Sequence, residues 1–289
     1  MTNQPPNVLA CIDGSVLTEA VCDYAAWISQ RVAAPLELLH TINHHPEMAN
    51  NANLSGNIGL GSQEHLLEEI ILLEQQQSKL KLQKGKLLLQ AAKERVIAAG
   101  AADPICSKRH GNLIESLIEL EDSIRVLVLG IRGQVHDNKN KQLGAKLESV
   151  IRSLHRPILI VNDTFKEPQR IMLAYDGSKA ANKAVDMVAA SPLYAGLNCH
   201  LICVNNNEDT AAKLLQQATE KLQSAGNIEV TASKLKGRAD QALCEYQQTQ
   251  DIDLTVMGAF SHNRLHDMLL GSFTHKMLLN TNKPLLFLR

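Results

Sequence analysis

The chain has 289 residues, of which 45% are hydrophobic and 20% charged, and its 29 basic and 30 acidic side chains leave a net charge of −1. That length suits one large domain or two of ordinary size, and that balance lacks the basic footprint with which proteins grip nucleic acid. No apolar run approaches the roughly 20 residues of a membrane span, and MTNQPPNVLACIDGS holds no basic stretch leading into an apolar one, so a cytoplasmic protein is expected, with neither membrane nor nucleic acid as partner.

Aromatic residues make up 3% of the chain, so the core must be aliphatic. The six cysteines, at 11, 22, 106, 199, 203 and 244, mostly sit inside apolar runs such as LNCHLICV. Buried thiols are expected there, rather than the disulfide framework of a short secreted chain.

In chain order, NVLACI (7–12) reads as a short strand ending at Asp13-Gly14-Ser15. A helix over 16–32 follows, then a strand over 36–42 that Pro35 opens. From 43 to 62 the composition turns to Asn, Gly, His and Pro, the mark of a loop. A long helical pattern covers 63–99. Its apolar positions 66, 70, 73, 80, 87, 91 and 98 alternate steps of three and four, with Gln77 and Lys84 in the gaps. At 1.5 Å per residue such a helix reaches about 55 Å. One small domain is narrower than that, so the helix either breaks near Gly85 or projects, and Gly100 ends it. A strand near 105–108, a turn at His110-Gly111-Asn112 and a helix to 121 come next. The strand 126–129 then runs into Gly130-Ile131-Arg132-Gly133. A polar loop leads to Gly144-Ala145, a helix ending near 154, and a strand over 158–161 behind Pro157. Residues 162–169 read as a linker.

The pattern then restarts. RIMLAYDGS (170–178) repeats NVLACIDGS (7–15), Gly258 answers Gly130, and Pro284 answers Pro157. The first offset is 163 and the other two are 128 and 127, so the first half carries about 35 extra residues between its second and third strands. Each half reads β-α-β-α-β-α-β-α-β with uniformly apolar strands, which implies a parallel sheet covered on both faces. Ligands of such sheets bind at strand carboxyl ends, where the strand order reverses. Both Asp-Gly-Ser triplets and both glycine loops fall at such ends. The second loop leaves the apolar run 252–257 at Gly258 and closes on Gly271-Ser272 at a helix start. Glycines let a backbone approach a ligand closely, and a helix start offers N–H donors and a positive dipole end. The stretch therefore reads as a phosphate cradle.

With those residues in place, each half resembles a universal stress protein domain, over nearly the whole chain. The likeness rests on the strand ending in Asp-Gly-Ser and on a late loop of the form G-x2-G-x9-G-[ST], followed by a helix and a strand after proline. It implies an α/β protein of two tandem flavodoxin-like domains, 1–165 and 166–289. Each would be a doubly wound, five-stranded parallel sheet, and the two would pair through their last strands as a pseudo-dimer. It also implies a regulator of the stress response that, in one branch of the family, binds ATP or a related adenine nucleotide. In that branch the Asp meets the adenine end, the second strand lines the adenine pocket, and the glycine loop holds ribose and phosphates. Carried onto the second half, these positions are Ala174, Tyr175, Asp176, Val204, Met257, Gly258, Ser261, Gly271, Ser272 and Phe273. Ser261 stands where the pattern asks for glycine. The first half, with Asp13, Gly130, Gly133 and Gly144, departs further: ten residues separate its last two glycines, and Ala145 replaces the Ser/Thr. The second half is thus the expected nucleotide site and the first a weaker one. The alternative is an interaction module whose sites have decayed.

Other features suggest less. His262 and His266, four apart with Asp267 adjacent, find no third ligand of matching geometry and read as loop side chains, so no metal is expected. No nucleophile–base–orienter set emerges from the spacing, which leaves at most slow ATP hydrolysis or self-phosphorylation. Residues 63–84 exceed what one domain needs, and a protein partner or a second copy of the chain is expected there.

Overall fold

The computed structural model describes residues 5–42, 60–131, 145–226, 228–258 and 271–289, with the side chains of 60–68 and 145–146 left out. Its strands are β1 (Asn7–Cys11), β2 (Leu36–Ile42), β3 (Ile105–His110), β4 (Ile124–Gly130), β5 (Ile158–Val161), β6 (Arg170–Ala174), β7 (Asn198–Val204), β8 (Glu229–Leu235), β9 (Leu254–Gly258) and β10 (Leu285–Leu288). The helices are α1 (Thr18–Val32), α2 (Leu60–Ala98), α3 (Leu113–Leu120), α4 (Ala145–Ser153), α5 (Lys179–Ala190), α6 (Glu208–Ser224), α7 (Ala239–Thr249) and α8 (Ser272–Asn280).

All ten strands form one sheet in the order β3-β2-β1-β4-β5-β10-β9-β6-β7-β8. Every neighbouring pair is parallel except β5 and β10, which run antiparallel and register Leu285 on Ile160 and Phe287 on Ile158. Two five-stranded parallel sheets of flavodoxin type thus join through their last strands, the pseudo-dimer that the resemblance implies. Successive residues of each inner strand point to opposite faces, and both faces are apolar. One carries α1, α2, α5 and α6 through residues such as Val21, Val96, Val185 and Leu215. The other carries α3, α4, α7 and α8 through Leu117, Ile151, Leu243 and Met277. Both cores run without interruption across the β5–β10 seam.

Side chains tie the seam further. Tyr24 meets Phe165 edge-on, with centroids 4.8 Å apart. Arg31 of α1 donates to the Leu193 carbonyl at 3.2 Å and to that of Ala195, and Asn162 donates to the Thr281 carbonyl at 3.0 Å. Asp253, with a side chain only 1% exposed, anchors the segment that enters β6. One of its oxygens accepts the Gln169 and Arg170 N–H groups at 2.9 and 3.0 Å, and the other lies 2.7 Å from the Lys166 ammonium. Burial alone would raise its pKa. The Lys166 ammonium and the two backbone donors outweigh burial and hold it below the usual carboxylate range.

Two expectations need correction. The strands are not uniformly apolar: β3 (ICSKRH) and β8 (EVTASKL) are polar and largely exposed. They are the two edges of the sheet, where lysines such as Lys108 and Lys234 discourage pairing with another chain. The thiols are not all buried either, since Cys106 is exposed on β3 while Cys22, Cys199 and Cys203 are buried. Burial pushes the Cys22 and Cys199 thiols up to about 12, which keeps them protonated and unreactive. The long helix takes the second of its two expected courses: α2 does not break at Gly85 but runs unbroken for 39 residues. A Cβ on Gly85 would lie 2.7 Å from the His40 ring, and that ring is held by a 2.6 Å hydrogen bond to the Ile12 carbonyl. Gly85 is therefore the point where α2 touches β2. From there Leu89, Ala92 and Val96 bury themselves against the body, and Arg95 clamps Asp23 of α1 through two hydrogen bonds of 2.9 and 2.8 Å. Ahead of Gly85 the helix projects: no described side chain from 69 to 84 is buried.

Candidate nucleotide site

In the second half the strand order reverses between β6 and β9, so β7 and β8 lie on one side of β6 and β9 and β10 on the other. At their carboxyl ends Ala174 registers with Met257 on β9 and with Ile202 on β7. Val204 extends β7 two residues further. Ala174, Val204 and Phe273 are half-buried and pack on the same core as the buried Met257, beneath α7 and α8. Four of the apolar residues expected at the site thus share one face of the sheet.

Tyr175 points to the other face. It is 5% exposed and its hydroxyl donates to Asn182 Oδ1 at 2.9 Å. Its side chain is part of the core beneath α5 and α6, so the sequence placed the residue at the site but not the direction of its ring. Asp176 follows and is exposed. Its Oδ1 accepts the Ser178 N–H at 2.9 Å, an Asx turn, and Oδ2 has no partner among the described residues. Gly177 makes the turn possible with φ +78°, and a Cβ there would also meet Leu214 of α6 at 2.6 Å. Ser178 caps α5 through the Ala181 N–H at 3.2 Å. Asn182 donates to the carbonyls of Gly177 and Ser178, both at 2.9 Å. Sequence reasoning does not single out Asn182. Its one signal there is an amide, a weak helix former, inside the first turn of a helix.

The two glycines of the second loop behave differently. Gly258 has no unusual dihedral, but a Cβ on it would lie 2.5 Å from the Ala180 carbonyl oxygen and 2.9 Å from the Ala181 nitrogen. It is glycine because the carboxyl end of β9 presses on the first turn of α5, and that contact sets β9 beside the Asp176 turn. Gly271 has φ −53°, and a Cβ on it would meet only Thr274 Oγ1, at 4.0 Å. It precedes α8 without a side-chain cap, so the N–H groups of that first turn, from Ser272 onward, are not held by a capping side chain. Ser272 is exposed, Phe273 half-buried and Thr274 buried. Ser261 lies outside the described residues, with His262, His266 and Asp267.

The first half has the same plan, with its Asp more fully engaged. Its order reverses between β1 and β4. Asp13 is half-buried, and its Oδ1 accepts both the Ser15 N–H at 2.9 Å and the Thr18 hydroxyl at 3.2 Å. Gly14 has φ +76°. Gly130 ends β4 beside Val161, and Gly133 and Gly144 lie outside the described residues. Among the described residues no group of three or more His, Cys, Asp or Glu is placed to hold a metal, and no helix is long and apolar enough to cross a membrane.

Comparison with known proteins bears on this arrangement. The family model described as the universal stress protein family matches residues 6–162 and 204–289. The chain belongs to the universal stress protein family. It is 33% identical over 285 residues to universal stress protein Slr1230 of Synechocystis sp., covering 98% of this chain and 99% of that one. Its fold is similar to the crystal structure of a universal stress protein from Archaeoglobus fulgidus, with a TM-score of 0.69 and 20% identity, covering 99% of this chain and 97% of that one. A universal stress protein crystallised in complex with cAMP aligns with 43% of this chain, at a TM-score of 0.37 and 21% identity.

Proposed function

We propose that this universal stress protein is a regulator of the stress response that binds an adenine nucleotide in its second half and is not built for catalysis. The observation that carries the reading is the contact of Gly258 with the start of α5. It draws the end of β9 against the helix that follows the Asp176 turn, whose exposed carboxylate keeps one oxygen available for a donor of adenine or ribose. Beside it the half-buried strip of Ala174, Val204 and Phe273 suits a flat aromatic base, and the uncapped start of α8 suits an anion. ATP is the nucleotide we favour. In the first half, Asp13 is half-buried and already accepts two hydrogen bonds, which supports a weaker site there.

Equilibrium dialysis against ATP and AMP tests the proposal. Asparagine at 176 retains an oxygen for the Ser178 N–H but loses the charge and turns the other acceptor into a donor. Asp176→Asn should lower the affinity of the tighter site about tenfold without moving the melting temperature, whereas Asp13→Asn should leave that tighter affinity unchanged. No binding at millimolar nucleotide, or an unchanged affinity in Asp176→Asn, would overturn it in favour of an interaction module with decayed sites.

A further inference from the structure

We infer that the projecting part of α2 is one half of an antiparallel coiled coil formed with a second copy of this chain. Leu73, Leu80 and Leu87 repeat every seven residues, and Ile70, Gln77, Lys84 and Ala91 interleave with them at steps of three and four. That is the a/d pattern of a two-stranded coil, with leucine at every d and two polar residues at a. The helix could have used this face against its own body, but it uses one about 120° further round its axis. Gly85, Leu89, Ala92 and Val96 pack inward, while Leu73, Leu80 and Leu87 remain 49%, 64% and 71% exposed.

The surface already has the shape that such a partner requires. Leu80, Gln83, Lys84, Leu87, Leu88 and Ala91 line an open apolar groove. They comprise two consecutive sets of positions i, i+3, i+4 and i+7, namely 80, 83, 84, 87 and 84, 87, 88, 91. Each set is a hole of the kind that receives one knob from a facing helix. Within the described seam the knobs of matching spacing are Leu73 and Ile70.

Charge selects the partner and its direction. A parallel pair of copies would set Lys84 against Lys84 in the core. Reversing one copy sets Lys84 against Leu73, Gln77 against Leu80 and Ile70 against Leu87, so every layer contains a leucine. In the same register Glu74 of each copy flanks Lys81 of the other, twice over by the two-fold symmetry. Glu74 and Lys81 are seven residues apart, too far along the helix to pair within one copy. The segment is thus complementary to itself when reversed.

The test uses the full chain in sedimentation velocity and light scattering at micromolar concentration. A species of twice the chain mass is expected. The double substitution Leu73→Asp with Leu80→Asp should raise the dimer dissociation constant about 30-fold or more, with the melting temperature of the α/β body unchanged because both side chains are exposed in the single chain. Glu74→Lys should weaken the dimer, and adding Lys81→Glu should restore it. A chain that stays monomeric, or a dimer indifferent to the leucine substitutions, would overturn the inference. A dimer weakened by Glu74→Lys but not restored by Lys81→Glu would overturn the antiparallel register. The charge pair leaves the packing untouched, so this arm stands even if the aspartate variant unfolds.

Discussion

Alanine in place of Gly258 is expected to destabilise the fold by about 3 kcal/mol. The added methyl would sit 2.5 and 2.6 Å from the Ala180 carbonyl oxygen and carbon, backbone atoms in the first turn of α5. Neither side can yield cheaply. β9 is paired on both flanks, to β10 and β6, and α5 is fixed by its buried Ala181, Ala184, Val185 and Val188. Relief would require the helix start to move outward and carry the Asp176 turn with it, so nucleotide affinity should fall with stability. The control is Gly271→Ala. That Cβ enters open space at φ −53°, and the change should cost less than about 1 kcal/mol, the ordinary difference between glycine and alanine at a helix cap. Urea unfolding of the two variants checks both expectations. Equal losses would mean that the approach of β9 to α5 is not what requires glycine at 258.

The second large effect is expected at Asp253. Alanine there leaves the Gln169 and Arg170 N–H groups without their acceptor and the Lys166 ammonium without its counter-ion. The expected loss is about 3 kcal/mol at neutral pH. An asparagine side chain would still accept the two N–H groups, so Asp253→Asn should lose less. The two variants also separate by pH. The Asp253 pKa is lower in the folded chain than in the unfolded one, so its charge stabilises the fold above the unfolded value of about 3.9. That contribution disappears as pH falls through the folded value. The gap in unfolding free energy between wild type and Asp253→Asn should therefore be constant near neutrality and close below about pH 4. A gap that persists in strong acid would show that the carboxylate charge is not its source.

The architecture was legible because it was written twice. Two Asp-Gly-Ser triplets, and a glycine and a proline each repeated at nearly the same offset, gave the strand pattern, and alternation of strand and helix gave the parallel sheet. What the sequence hid were contacts between segments far apart in the chain. Gly85 looks like a helix breaker because local propensity says so, yet it is a glycine for the sake of His40, 45 residues earlier. Gly258 stands out in the sequence as a glycine beside a ligand, but its close approach to the first turn of α5 could not be read there. Tyr175 is expected at the site by its position in the chain, but only the strand's two-fold alternation sends its ring to the opposite face from Ala174. Asp253 passes as one residue in an apolar run, because nothing local announces the two backbone donors and the lysine that converge on it.

The antiparallel seam between β5 and β10 has one more consequence. Because every other pair is parallel, the carboxyl ends of β1 and β4 face one way and those of β6 and β9 the other. The molecule has no single side on which both crevices open. Its two crevices open toward opposite poles, separated by at least the length of a strand, about 17 Å. No one small molecule can span both, and a partner that covers one pole leaves the other in solvent.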